Sequence, residues 1–177
     1  MSELPHIITG QAPMGAVGLA VVPKVESLSD KVAMWYSKPL REMHGDQAFI
    51  CLAICFPLYE KYLRLSGAMP KDDKFHQTHE IFRLVADHFN TDPDTTYLIW
   101  ASWRNGLLHR AMPKEKATVN WALDGHLDVP VKKAGTNITI NPWLLRDRIL
   151  DVVEANRGIW KDTQAPLMDV YEVTPLK

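Results

Sequence analysis

The sequence lacks most of the features that would place it in several large classes of protein. Only two of its 177 residues are cysteines, so it has no disulfide framework of the kind that stabilises small secreted domains. Twenty basic and twenty-one acidic side chains leave a formal net charge of −1, so no overall positive field draws the chain to nucleic acid. An anionic ligand would therefore need a local basic patch.

Long apolar runs and phosphate-binding loops are also missing. The apolar stretches 12–22 and 48–59 are too short to span a bilayer, and no basic region precedes the first. No glycine-rich loop follows a predicted strand, which argues against P-loop and Rossmann chemistry. We expect no membrane segment and a cytoplasmic location, which suits Cys51 and Cys55 as a buried pair on one helix face.

The length and composition predict one domain over residues 1–177, because 46% apolar residues are enough to bury a core. Within it we expect three parts. An N-terminal arm covers 1–25, a helical bundle core covers 27–113, and a small β element plus a helix covers 118–160.

Four helices are predicted in the bundle core, and the first two are bounded by serine, proline and glycine. Ser27 or Ser29 can cap a first helix that ends before Pro39. The second helix is expected over about 46–65, ending at Gly67.

Apolar periodicity and polar caps predict the other two helices of the bundle. A third helix follows Pro70, with large side chains at steps of three and four, and ends near Asn90. The fourth opens at Thr91 or Asp92 and runs to about Ala111.

The pattern changes to β after the fourth helix. Segments 118–123 and 126–131 flank an Asp-Gly pair, which predicts a hairpin, and 137–140 adds a third short strand. Asn141 then caps a fifth helix that ends near Gly158 and packs against the β element. The expected fold is thus mainly α: an antiparallel four-helix bundle, then a small β hairpin or meander and a C-terminal helix.

The run RNGLLH on the fourth helix carries the most chemistry. Arg104 falls in an apolar arc of this helix, where a guanidinium is costly unless it is paired or faces a wet cleft. Asn105 and His109 are four residues apart, so they stack on a neighbouring face. His109 can exchange a proton near neutral pH and Arg104 can grip a phosphate, which is the minimum for metal-free cleavage of RNA.

The same run resembles the HEPN family. Its members carry an Arg, then four to six residues, then a His on the last helix of a four-helix bundle, often with a polar residue directly after the Arg. Here those positions are Arg104, Asn105 and His109, with four residues between Arg and His. The resemblance covers roughly 27–113 as bundle architecture and only these positions as motif.

The resemblance implies a metal-independent endoribonuclease without cofactor, whose cleft forms where two copies meet. His109 would be the general acid or base, Arg104 would hold the scissile phosphate, and Asn105 would orient the site. Such proteins include toxins and phage-defence effectors with an antitoxin or regulatory partner, as well as silent RNA-binding or scaffolding members. HEPN toxins paired with a nucleotidyltransferase antitoxin carry a Tyr two residues after the His, and here that position is Ala111, which argues against regulation there.

The same residues are also consistent with purely structural roles. Arg104 is equally consistent with an ion pair to Glu60 or Asp46, and His109 with an ordinary surface histidine near a helix C-terminus. A basic cluster after the motif favours RNA as the ligand, although a solvated charged face has the same composition. It comprises Arg110, Lys114 and Lys116.

Two metal-dependent readings are weaker. His76, His79, Glu80 and His88 lie at spacings that can share a metal, but the His-Glu-x-x-His order is absent. His44 lacks the adjacent Asp of the HD phosphohydrolases. A metal-dependent hydrolase is therefore only the second alternative, and we assign no metal site.

Tryptophan is the last notable feature of the sequence. Most of its six tryptophans are expected in the core. Trp100 and Trp103 lie on the motif helix, the predicted fourth helix that carries the run RNGLLH. They are the two that we would test as part of an interface.

Overall fold

The structure is a computed structural model that describes residues 27–69, 80–110, 112–113 and 119–160. Within them the protein is mainly helical with a small three-stranded sheet, as expected, while the four-helix bundle itself stays a prediction. The predicted N-terminal arm lies outside the described residues. The helices are α1 (Leu28–Val32), α2 (Lys38–Glu42), α3 (Ala48–Leu65), α4 (Ile81–Phe89), α5 (Pro93–Ile99), α6 (Asn105–Arg110) and α7 (Pro142–Ala155).

The first helical segment begins where the sequence predicts and ends later. The Ser27 hydroxyl accepts from the Asp30 N–H at 3.1 Å, and the Asp30 carboxylate accepts from the Ser27 N–H at 3.2 Å. The predicted end before Pro39 is wrong, because a π-helical turn, Ala33–Ser37, leads from α1 into α2. Its wider ring makes room for a proline, which lacks an N–H and would clash inside a regular helix.

The boundaries of the next two helices confirm the sequence analysis where they are described. A short 3₁₀ turn, Gly45–Gln47, leads into α3, and Gly67 follows its end with φ +75°. Helix α4 ends at Asn90, which takes the left-handed conformation at φ 53°. Residues 70–79, where the third helix was predicted to begin, lie outside the described residues.

The motif helix is a continuous helical path with an irregular centre. It opens at Asp92, whose carboxylate accepts from the Thr95 N–H at 2.8 Å, as the sequence predicts. A π-helical turn, Trp100–Arg104, separates α5 from α6. This turn inserts extra backbone at the start of the motif, because its last residue is Arg104, and π turns often lie at functional sites.

The sheet has a topology that the sequence analysis did not predict. Its strands are β1 (Asn120–Leu123), β2 (Val131–Ala134) and β3 (Asn137–Ile140). Strand β3 lies in the middle, parallel to β1 and antiparallel to β2. The predicted hairpin at Asp124 and Gly125 is therefore wrong, and the hairpin that forms joins β2 to β3 through Gly135 at φ +61°.

Local hydrogen bonds explain why the Asp-Gly pair makes no hairpin. The Asp124 carboxylate accepts from the His126 N–H at 2.9 Å, which closes a local turn. The Asn141 side chain then donates to the carbonyls of Gly125 at 3.1 Å and Leu127 at 2.7 Å. These hydrogen bonds hold the loop after β1 against the start of α7. Strand β2 therefore begins only at Val131, after Pro130.

The sequence analysis expected α7 to pack against the β element, but in the structure α7 is part of the helical core. It packs on α3, α4 and α2. Arg146, only 8% exposed, ties α7 to the end of α2 by donating to the carbonyls of Leu40 at 3.2 Å and Met43 at 2.8 Å. Its guanidinium also lies over the Trp143 ring, 5.3 Å from the centroid.

The core is built around α3, and its largest fully buried side chains are aromatic. They comprise Trp100, Trp103, Trp160, Tyr59, Phe56, Phe82 and Phe89. Among the described residues, no helix combines the length and apolar character needed to cross a membrane.

Candidate functional site

Arg104 is held by a carboxylate on the central helix. Its Nε donates to Glu60 Oε2 at 2.8 Å, and its Nη2 donates to the same oxygen. The other oxygen of Glu60 accepts from Arg64 Nε at 3.1 Å and Nη2 at 2.8 Å. Glu60 is only 12% exposed and Arg104 22%, so this cluster is largely withdrawn from water.

The structure therefore confirms an ion pair that the sequence allowed, with Glu60 and not Asp46 as the partner of Arg104. The role of Arg64 was missed. Its spacing of four residues after Glu60 on one helix was the available signal, because such acid-to-base pairs lie side by side. Together the three side chains join α3 to the motif helix.

Asn105 completes the surroundings of the Arg104 guanidinium. Its Oδ1 accepts from Arg104 Nη1 at 2.7 Å. A guanidinium has five N–H groups, and these contacts use three of them. Among the described residues, one N–H on Nη1 and one on Nη2 have no acceptor. These are the two terminal nitrogens with which arginine grips a phosphate or carboxylate in parallel.

His109 lies one turn beyond Asn105, near the end of α6, and its side chain is exposed. The expected meeting of the Asn105 and His109 side chains does not take the form of a hydrogen bond within the described residues, where Asn105 Oδ1 accepts from Arg104. The structure thus brings Arg104 and Asn105 together and leaves His109 open to solvent on the same helix.

The basic cluster is described only in part. Arg110 is exposed at the last position of α6, beside His109. Lys114 and Lys116 lie outside the described residues.

The motif tryptophans do not form an exposed interface. Trp100 is 1% exposed and Trp103 is 2% exposed, so both are core side chains of this chain and the idea of an interface through them is wrong. The Trp103 ring stacks on Phe49 of α3 with centroids 5.7 Å apart. This contact and the Arg104–Glu60 pair fix the rotation of the motif helix on α3.

His88 is the described member of the histidine group weighed as a metal site. Its Nδ1 shares a hydrogen bond with the Tyr59 hydroxyl, and the two rings meet edge to face at 5.9 Å. His76 and His79 lie outside the described residues. In the part of the chain that is described, no three metal-ligating side chains cluster.

The burial of His88 makes a testable prediction about pH. Burial lowers the pKa of His88 below its ordinary 6.5, although nearby Asp87 opposes the shift. The unfolded chain then binds more protons below about pH 6.5, so the free energy of unfolding falls as the pH falls. Denaturant unfolding from pH 7.5 to 5 should show this slope and a flatter one in His88→Gln. Exposed His126→Gln is the control, and an unchanged slope in His88→Gln would contradict the assignment.

The two cysteines form the expected buried pair on α3. Their sulfurs are 4.0 Å apart, and the hydrogen bond from Cys55 lowers the pKa of Cys51. The same contact, together with burial, raises the pKa of Cys55. The buried guanidinium of Arg146 lies close enough to lower both pKa values, a positive charge that the sequence analysis had not placed there.

Comparisons of the chain with protein-family models, with curated proteins and with solved structures give no match in any of the three. The account of function therefore depends on the residues and their geometry.

Proposed function

We propose that the protein is a HEPN-like, metal-independent endoribonuclease of the cytoplasm, acting as a toxin or phage-defence effector with its cleft at a homodimer interface. One observation carries the proposal. Arg104 is fixed by Glu60 and Asn105 and lies on the same helix as an exposed histidine; among the described residues, one N–H on each of its terminal nitrogens has no acceptor.

In this proposal Arg104 binds the scissile phosphate. The two N–H groups on Nη1 and Nη2 fit two non-bridging oxygens of one phosphate through parallel hydrogen bonds. Glu60 and Asn105 restrict the guanidinium to one orientation before RNA arrives, which lowers the entropic cost of binding. Asn105 is thus a positioning residue, and exposed Arg110, with Lys114 and Lys116, supplies further contacts to the RNA backbone.

His109 moves the proton. A neutral imidazole takes the proton of the ribose 2′-hydroxyl, whose oxygen forms a bond to phosphorus while the bond to the 5′-oxygen breaks. A protonated imidazole gives its proton to that 5′-oxygen. The products are a 2′,3′-cyclic phosphate and a 5′-hydroxyl.

The experiment that tests the proposal is cleavage of a mixed RNA by the purified full chain in excess chelator. We expect cleavage that chelation does not reduce, products ending in cyclic phosphate, and no cleavage of the same sequence as DNA. Intact RNA, cleavage that stops with the chelator, or cleavage of DNA would each overturn the nuclease assignment.

A second candidate is a catalytically silent HEPN-like module that binds RNA or serves as a scaffold. Arg104 already has an ion-pair partner in Glu60, and no described group contacts His109 by a hydrogen bond. An arginine whose task is structural would have the same partners. RNA binding without cleavage, or a stable assembly that does not bind RNA, would favour this candidate.

A further inference from the structure

The exposed face of α3 carries an apolar stripe that the rest of the described chain does not cover. Ile50 is 58% exposed and is the most exposed large apolar side chain on this helix. Ala53, Ile54 and Pro57 continue the stripe and are half-buried. At about 100° per residue these positions share one arc of the helix.

A depression lies at one end of the stripe. It has a volume of about 400 Å³ and is lined by Tyr36 and by α3 side chains on either side of Pro57. The α3 members of the lining are Ala53, Ile54, Pro57, Leu58 and Lys61. The stripe thus has a protruding side chain, Ile50, at one end and a hollow centred on Pro57 at the other.

Side chains of opposite charge lie at the two ends of the stripe. Asp46 lies just before α3 and is exposed, and Lys61 lies near its C-terminal end. Within the described residues neither makes an ion pair. A partner that covers the stripe is therefore expected to offer a cation opposite Asp46 and an anion opposite Lys61.

We infer that the partner is a second copy of this chain, with the two α3 helices packed antiparallel about a twofold axis between Ala53 and Ile54. That one axis sets Ile50 against Pro57 of the partner subunit and Asp46 against Lys61 of the partner subunit. The protruding side chain enters the hollow and the charges pair, because both pairs have the same midpoint in residue number. A self-complementary patch of this kind is what a twofold dimer requires.

The geometry also gives the dimer a relation to the Arg104 site, a step that rests on the proposed function. The twofold axis is perpendicular to both helices, so the edge of α3 that carries Glu60 lies on the same side of the dimer in both subunits. The two Glu60 residues are then offset by about 20 Å along the helix axis. Both Arg104 clusters face one surface, on which a single RNA strand can contact both.

The test is the oligomeric state of the full chain by sedimentation equilibrium, without RNA. We expect a dimer for wild type and a monomer for Ile50→Glu, whose side chain is exposed enough that the fold tolerates the change. Leu84→Glu, at an exposed apolar position on α4 outside the stripe, should remain dimeric.

Charge reversal tests the register of the two helices. Asp46→Lys alone and Lys61→Glu alone should each weaken dimerisation by about tenfold, since each places like charges at both symmetric contacts. The double variant restores opposite charges and should recover wild-type affinity.

Four results would overturn the dimer: a monomeric wild type, a dimeric Ile50→Glu, a monomeric Leu84→Glu, or a double variant no tighter than the single ones. The outcome is separate from that of the nuclease. A monomer that cleaves RNA overturns the dimer and a cleft at its interface, but not the roles of Arg104 and His109. A dimer that leaves RNA intact overturns only the catalytic assignment.

Discussion

Replacing His109 by alanine is expected to slow RNA cleavage by at least about 100-fold, the usual contribution of a general acid or base. The side chain is exposed at the end of α6 and makes no hydrogen bond to the described residues, so its loss should leave the fold unchanged. Single-turnover cleavage in excess chelator measures the rate.

His126→Ala is the matched control for this variant. His126 is an exposed histidine in the loop after β1, and its described hydrogen bond uses its backbone N–H, which alanine keeps. It should cleave at the wild-type rate. Equal rates for His109→Ala and wild type would remove His109 from the mechanism, and a similar loss in both variants would point to damage unrelated to catalysis.

The largest expected effect on stability comes from Glu60→Gln. The substitution keeps the size of the side chain but removes the carboxylate that both Arg64 and Arg104 contact. Breaking a buried ion pair by removing one partner leaves the remaining charge poorly solvated. We expect the free energy of unfolding to fall by about 3 kcal/mol, the lower end of such losses, because the arginines are partly exposed.

Urea unfolding measures this loss, and two further variants isolate its cause. Glu42→Gln, at an exposed glutamate on α2, should change stability little. The double variant Glu60→Gln/Arg104→Met should be more stable than Glu60→Gln alone, because it also removes the cation that lost its partner. A loss under about 0.5 kcal/mol would show that the cluster is solvated and does not fix the motif helix.

Local signals in the sequence were sufficient for the starts of three helices. Ser27, Asp92 and Asn141 each cap a helix through a side-chain oxygen, and this chemistry is local to three or four residues. The topology of the sheet could not be predicted from neighbouring residues alone, because it depends on contacts between residues far apart in the sequence. The Asp-Gly pair at Asp124 has hairpin chemistry, but the hydrogen bonds from Asn141, 14 and 16 residues away, decide where that loop goes.

The candidate site was predictable in part for the same reason. The position of Arg104 on the motif helix followed from spacing, and Glu60 was one of two partners that the sequence allowed. Helical periodicity could not choose between them, because that choice depends on how α3 packs on the motif helix. The two π-helical turns were not predictable, since they insert backbone without a sequence signal as local as a cap.

The apolar face of α3 shows how burial alters a sequence interpretation. The run 48–59 is apolar on all sides, so its sequence does not show which side is exposed. In the structure one side faces the core through Cys51 and Cys55, while Ile50 on the opposite side is exposed. Trp100 and Trp103, which the sequence analysis would have tested as part of an interface, are buried, and the interface is instead proposed on this helix.

The most direct test of the central claim is cleavage of a mixed RNA in excess chelator by wild type, His109→Ala and Arg104→Ala, at matched fold and oligomeric state. The account predicts cleavage by wild type and its loss in both variants. If wild type leaves the RNA intact, or if the variants cut equally well, the segment from Arg104 to His109 is not a catalytic site.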